Sequence, residues 1–74
     1  MISLINLAIG LGIDKSNLCK IIKKLGISHT LVRGRRNQWE YYFSNGDVEK
    51  IIRYREGISH YLVKDEEGNW ILQF

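Results

Sequence analysis

A chain of 74 residues carrying a net charge of +3 buries only about 60% of its unfolded surface, which argues against a deep catalytic cavity and for a small binding module. The single cysteine, Cys19, excludes an internal disulfide, and two distant histidines give no zinc-ligand spacing. The longest apolar stretch, Leu4 to Ile13, is interrupted by Asn6 and falls far short of the roughly 20 residues of a membrane span. We therefore expect a soluble cytoplasmic protein with no metal and no cofactor.

The charge is unevenly placed. Residues 1 to 39 hold seven Lys/Arg against Asp14 alone, a balance of +6, whereas residues 40 to 74 hold four against seven Asp/Glu, a balance of −3. A basic half with ordered apolar spacing points to nucleic acid rather than to a membrane surface. A solvated charged surface is the plainer alternative.

Taken in chain order, Ser3 can cap a first helix whose Leu4, Leu7, Ala8 and Leu11 recur at three- and four-residue steps, with Gly12 ending it. Ile13 closes the turn, and Asp14 is placed to cap a second helix in which Leu18, Ile21, Ile22 and Leu25 form a buried stripe before Gly26. At 100° per residue, Ser16, Lys20 and Lys23 fall opposite that stripe, with Cys19 and Lys24 on its flanks. Cys19 reads as a small half-buried filler. Lys15, Ser16 and Asn17 lie in the first turn, where a recognition helix presents base-reading side chains, and Asn17 can bond adenine in bidentate fashion. Asn17 can equally be an ordinary polar first-turn residue. Lys20, Lys23 and Lys24 suit phosphates.

Thr30 to Val32 and Trp39 to Phe43 are rich in β-branched and aromatic residues and flank Arg33-Gly34-Arg35-Arg36-Asn37-Gln38, so they predict a β-hairpin with a basic tip. Alternation puts Trp39, Tyr41 and Phe43 on one face, taken as the core side, and leaves Glu40 and Tyr42 outward. Ser44-Asn45-Gly46-Asp47 reads as a capping box for a third helix running to about Arg55 or Glu56, with Gly57 as its stop. A second hairpin follows, Tyr61 to Lys64 and Trp70 to Phe74, with the acidic tip Asp65-Glu66-Glu67. It repeats the first: from Gly26 and from Gly57, 8 of 18 ungapped positions are identical, and with one residue inserted Lys20-Ile21-Ile22 echoes Lys50-Ile51-Ile52. A duplex would repel the acidic tip, so this hairpin should extend the first sheet, complete the core or pair with a second copy, and we expect dimerisation or protein contact ahead of core completion.

Leu7-Ala8, Gly12-Ile13, Leu18 and Ile21 match the helix-turn-helix pattern of a small residue, a turn glycine four later and apolar residues ten and thirteen later. With the hairpin and third helix added, residues 4 to 56 resemble the winged helix-turn-helix domain of MerR-type regulators and phage excisionases. The resemblance implies an α+β fold with three helices and a basic wing, a DNA-binding domain over 1 to 56, and residues 57 to 74 as an added hairpin of the same domain or a dimerisation element. It implies DNA contact by Lys20 and by Arg33, Arg35 and Arg36, and the expected interface is completed by Lys15, Ser16, Asn17, Lys23, Lys24 and Asn37. Where family wings often carry an arginine between the last strand's aromatics, this chain has Glu40-Tyr41-Tyr42-Phe43. It also lacks the long dimerising helix and effector domain of full-length MerR regulators, so no small-molecule effector is expected.

The function expected is sequence-selective binding of double-stranded DNA, in transcriptional regulation or excisionase-like control of recombination direction in a bacterial or phage-infected cell. The alternatives are the DNA-reading module of a larger phage or plasmid protein such as a nuclease, terminase or partition regulator, and a protein-interaction module using the basic face. Catalysis is not expected. His29 and His60 hold equivalent repeat positions and read as strand-entry residues, and the acidic cluster lies on a turn.

Overall fold

Ser3 and Gly12 bracket the first helix as their chemistry demands. The computed structural model describes residues 1–34, 36, 38–57 and 60–73, with β1 (Ile2–Ser3), α1 (Leu4–Leu11), α2 (Lys15–Leu25), β2 (Thr30–Arg33), β3 (Trp39–Phe43), α3 (Asn45–Tyr54), β4 (Leu62–Lys64) and β5 (Trp70–Leu72) in that order. The Asn6 amide donates to Ser3 Oγ at 3.2 Å, and Gly12 takes a left-handed φ of 69°. Asp14 holds the N-cap backbone of α2 but makes no side-chain capping bond. Ser44 caps α3 by accepting from the Asp47 amide at 3.3 Å while its hydroxyl donates to the Asp47 carboxylate at 3.0 Å. The protein is thus a small α+β fold with three helices and two antiparallel sheets, one ordered β1-β3-β2 and the other β4-β5.

The core lies where the helices meet the bases of both hairpins. Leu7 and Leu11 from α1, Leu18 from α2, Phe43 from β3 and Val48 and Ile51 from α3 are its fully buried side chains. Each contributes about 1.5–3 kcal/mol by leaving water. Of the expected α2 stripe, Leu18 is sealed, whereas Ile21, Ile22 and Leu25 are half-buried at the margin. The two-residue β1 was not expected: its Ile2 opposite Phe43 and Ser3 opposite Tyr42 make β3 the central strand, and Tyr42 is consequently half-buried rather than outward.

One expectation about the first hairpin fails. Phe43 is 2% exposed, but Tyr41 is 43% and Trp39 62% exposed. The three share a face as alternation requires, but an open cleft bordered by Leu4, Ile5 and Lys15 separates Trp39 and Tyr41 from the helices, so only Phe43 at the base is sealed in the core.

The second hairpin neither extends the first sheet nor stands free. Leu62 is buried at 5% exposure in the common core, the Tyr61 amide donates to the Gly10 carbonyl at 2.8 Å, and Gly10 leaves room in α1 for Leu62 and Leu72. Core completion, ranked below dimerisation on sequence, is therefore built into the fold. At the hairpin's far end Asn45 of α3 donates to Asn69 Oδ1 at 2.9 Å and accepts from the Trp70 amide at 3.2 Å. Asp65 Oδ1 accepts from the Glu67 and Asn69 amides, so one tip carboxylate organises its own turn.

The two hairpins share a register. The pairs Leu31–Tyr41, Val32–Glu40 and Arg33–Trp39 recur 31 positions on as Leu62–Leu72, Val63–Ile71 and Lys64–Trp70. The closing bond from the Gly34 amide to the Gln38 carbonyl recurs from Asp65 to Asn69. The helix stops, however, repeat 30 positions on: the Ile27 amide bonds the Ile22 carbonyl, and the Gly57 amide the Ile52 carbonyl. The inserted residue of the second copy thus falls between the helix stop and the strand. As a result Glu56 occupies the place of Gly26 and takes the left-handed φ of 58°, with Gly57 following at a positive φ of 83°, and α3 ends at Tyr54, slightly short of the expected boundary.

Candidate nucleic-acid interface

The α2 helix contains no acidic residue, and its Lys15, Ser16, Asn17, Lys20, Lys23 and Lys24 are all exposed. Spacing divides them. Lys15, Cys19 and Lys23 follow one another at four-residue steps on the side turned to the first hairpin: Lys15 lines a cleft of about 210 Å³ with Gln38, Trp39 and Tyr41. Cys19 and Lys23 line an apolar groove of about 170 Å³ with His29, Tyr41 and Phe43. Ser16, Lys20 and Lys24 form the neighbouring row. That row ends against α3, where the exposed Lys24 ammonium lies 5.3 Å from the centre of the Tyr54 ring in a cation–π contact. Neither Lys15, Lys20 nor Lys23 forms an ion pair with a described carboxylate.

On the first hairpin, Arg33 is exposed at the end of edge strand β2 and Arg36 is exposed at the tip with a φ of 60°. Arg35 and Asn37, both expected at the interface, lie outside the described residues. Glu40 alternates to the opposite face from Trp39. Gly34 provides the room its carboxylate occupies, and Glu40 accepts from the Tyr42 hydroxyl at 3.3 Å. The neighbouring negative charge, with that hydrogen bond, raises the Tyr42 phenol above its ordinary pKa.

The segment between α2 and β2 packs onto β3 through aromatic rings. His29 makes T-shaped contacts with Tyr41, at 4.5 Å between ring centres, and with Phe43, at 6.5 Å. Arg55, the C-cap residue of α3, donates to the Leu11 carbonyl at 2.9 Å, placing a cation at the C-terminus of α1, where no basic residue of the helix itself stands. The acidic tip, by contrast, belongs to the other sheet, where Lys64 pairs with Glu49 of α3 and lies 5.1 Å from the centre of the Trp70 ring. The Lys64 hydrogen bond and charge hold the Glu49 carboxyl below its ordinary pKa.

Trp39 and Tyr41 were missed as surface residues because their alternation with Phe43 reads as core. The available signal was position: Trp39 pairs with Arg33 at the outer end of the ladder. Among the described residues no group of three or more His, Cys, Asp or Glu is arranged for a metal ion, and no helix is long and apolar enough to cross a membrane. The chain matches no protein-family model, no curated protein and no solved structure.

Proposed function

We propose that the protein binds double-stranded DNA as a winged helix-turn-helix of the MerR or excisionase type, acting in the cytoplasm as a transcriptional regulator or recombination directionality factor rather than as an enzyme. The observation that carries this reading is the acid-free outer surface of α2, which exposes four lysines with Ser16 and Asn17 next to an arginine-bearing hairpin. In this reading α2 enters the major groove, Asn17 and Ser16 meet base edges, and Lys20 and Lys23 meet phosphates. The first hairpin is the wing, with Arg33, Arg35 and Arg36 at phosphate or minor groove. The acidic hairpin stands on the other sheet and serves stability, leaving Val63 and Ile71 as the exposed apolar residues through which two copies would pair.

The test is duplex affinity as a function of salt. With about five cations replacing counterions, binding should weaken on the order of 10²- to 10³-fold between 50 and 200 mM salt. Arg36→Ala should weaken binding to every duplex, whereas Asn17→Ala should relax preference at one base position. An affinity independent of salt would overturn the proposal, and absence of binding to mixed genomic DNA at low salt would overturn it in favour of an acidic protein partner for the same face.

A further inference from the structure

Trp39 and Tyr41 project from the hairpin on the side that faces the first turn of α2, with Leu31 paired beside Tyr41 and Arg33 beside Trp39. Apolar surface gathered in this way on a basic molecule calls for a ligand with flat apolar faces and negative charge. We propose that this face stacks two successive unpaired nucleobases, so that the protein binds single-stranded DNA, or the unpaired segment of an opened duplex, as well as paired DNA. The inference rests on the DNA-binding reading and deepens it.

Three features favour this occupant. Residues two apart on a strand are separated by about 6.7 Å, close to the roughly 6.8 Å, twice the stacked rise, that opens between neighbouring bases when a stack is parted. The indole and phenol are therefore spaced for one base each. Cations flank both rings: Lys15 shares the cleft with Trp39 and Tyr41, Lys23 shares the groove with Tyr41, and Arg33 sits directly across from Trp39. Glu40 also borders the cleft, but its carboxylate accepts from the Tyr42 hydroxyl, whose strand position alternates away from Trp39 and Tyr41. An intact duplex presents only base edges in its grooves and leaves such rings unstacked. An acidic peptide would satisfy the lysines and leave the aromatic faces without a flat partner.

The experiment uses the whole chain and three probes: a twelve-residue oligothymidylate, a duplex of equal length and an oligoglutamate peptide. Affinities are read by anisotropy of the labelled probes. Trp39 emission is read in a Trp70→Phe background, which leaves Trp39 the sole tryptophan. We expect oligothymidylate to quench Trp39, and Trp39→Ala to weaken its binding roughly 5- to 100-fold while duplex affinity changes less than about threefold. Trp39→Phe, which keeps a stacking ring, should retain most of the affinity, and the thermal midpoint of Trp39→Ala should stay near that of the parent because the side chain is exposed. Duplex binding without single-strand binding, or equal losses on both in Trp39→Ala, overturns this inference and leaves the duplex reading standing. Oligoglutamate binding, read by anisotropy, that is weakened in Trp39→Ala as strongly as oligothymidylate binding overturns it in favour of a protein ligand, and failure of both nucleic acids to bind overturns both readings.

Discussion

Replacing Gly10 by alanine tests how the second hairpin is held. A methyl group at this helical position would stand 2.6 Å from Leu62 Cγ and 3.0 Å from Leu72 Cδ2. The nearer of these is not a free side-chain end, because Leu62 is sealed in the core and its strand is fixed at Tyr61 to the Gly10 carbonyl. Overpacking of this kind costs about 1–3 kcal/mol, and the helix preference of alanine over glycine returns up to about 1 kcal/mol. The expected net loss is about 1–2 kcal/mol, a fall in Tm of roughly 5–15 °C for a domain of this size. In a Leu62→Ala background the closer obstacle is gone and only the flexible end of Leu72 must give way, so Gly10→Ala should then stabilise by up to about 1 kcal/mol, although Leu62→Ala itself costs about 2–5 kcal/mol. Urea unfolding of the four proteins followed by circular dichroism, with one osmolyte concentration throughout, gives the cycle. Gly10→Ala that stabilises the parent, or has the same effect in both backgrounds, would refute the docking of the hairpin on α1.

Two further predictions concern α3. Glu56→Gly should stabilise the protein by about 1 kcal/mol, because a glycine holds the left-handed conformation without the penalty borne by a Cβ, and an unchanged or lower midpoint on thermal unfolding would contradict the assigned helix stop. Glu49 should titrate below an ordinary glutamate and return toward it in Lys64→Met, as read by carboxyl NMR shifts. Since its pKa is lowered on folding, its contribution to stability is present above the unfolded glutamate value and is lost as pH falls through the folded one. An unmoved Glu49 titration in Lys64→Met would contradict the pairing.

Much of this architecture was legible because local chemistry and tertiary structure agree. Ser3, Gly12, Gly26 and Ser44 act where capping rules place them, and the apolar steps of α1 and α3 coincide with the core residues Leu7, Leu11, Val48 and Ile51. The duplication predicted two like hairpins, and the shared register follows. What was not legible depends on distance across the fold. Alternation tells which residues share a face but not how far helices extend beneath it, hence the misplacement of Trp39 and Tyr41. Gly10 reads locally as a weak helix residue, and only the approach of Leu62 gives it a purpose. β1 is too short to carry a period, and the left-handed turn at Glu56 came from an insertion whose position repeat alignment alone did not fix. Within the candidate interface, the exposure of the α2 lysines followed from the wheel, whereas the contact of Lys24 with Tyr54 required the third helix to be in place.

The central claim is that α2 and the first hairpin form one DNA-facing surface from which the acidic hairpin is excluded. Amide chemical-shift mapping of the chain against a bound duplex tests it most directly. Perturbations should concentrate at residues 15–24 and 33–38, with those at 64–70 unchanged. Perturbations centred on Asp65 to Asn69, or on neither region, would contradict it.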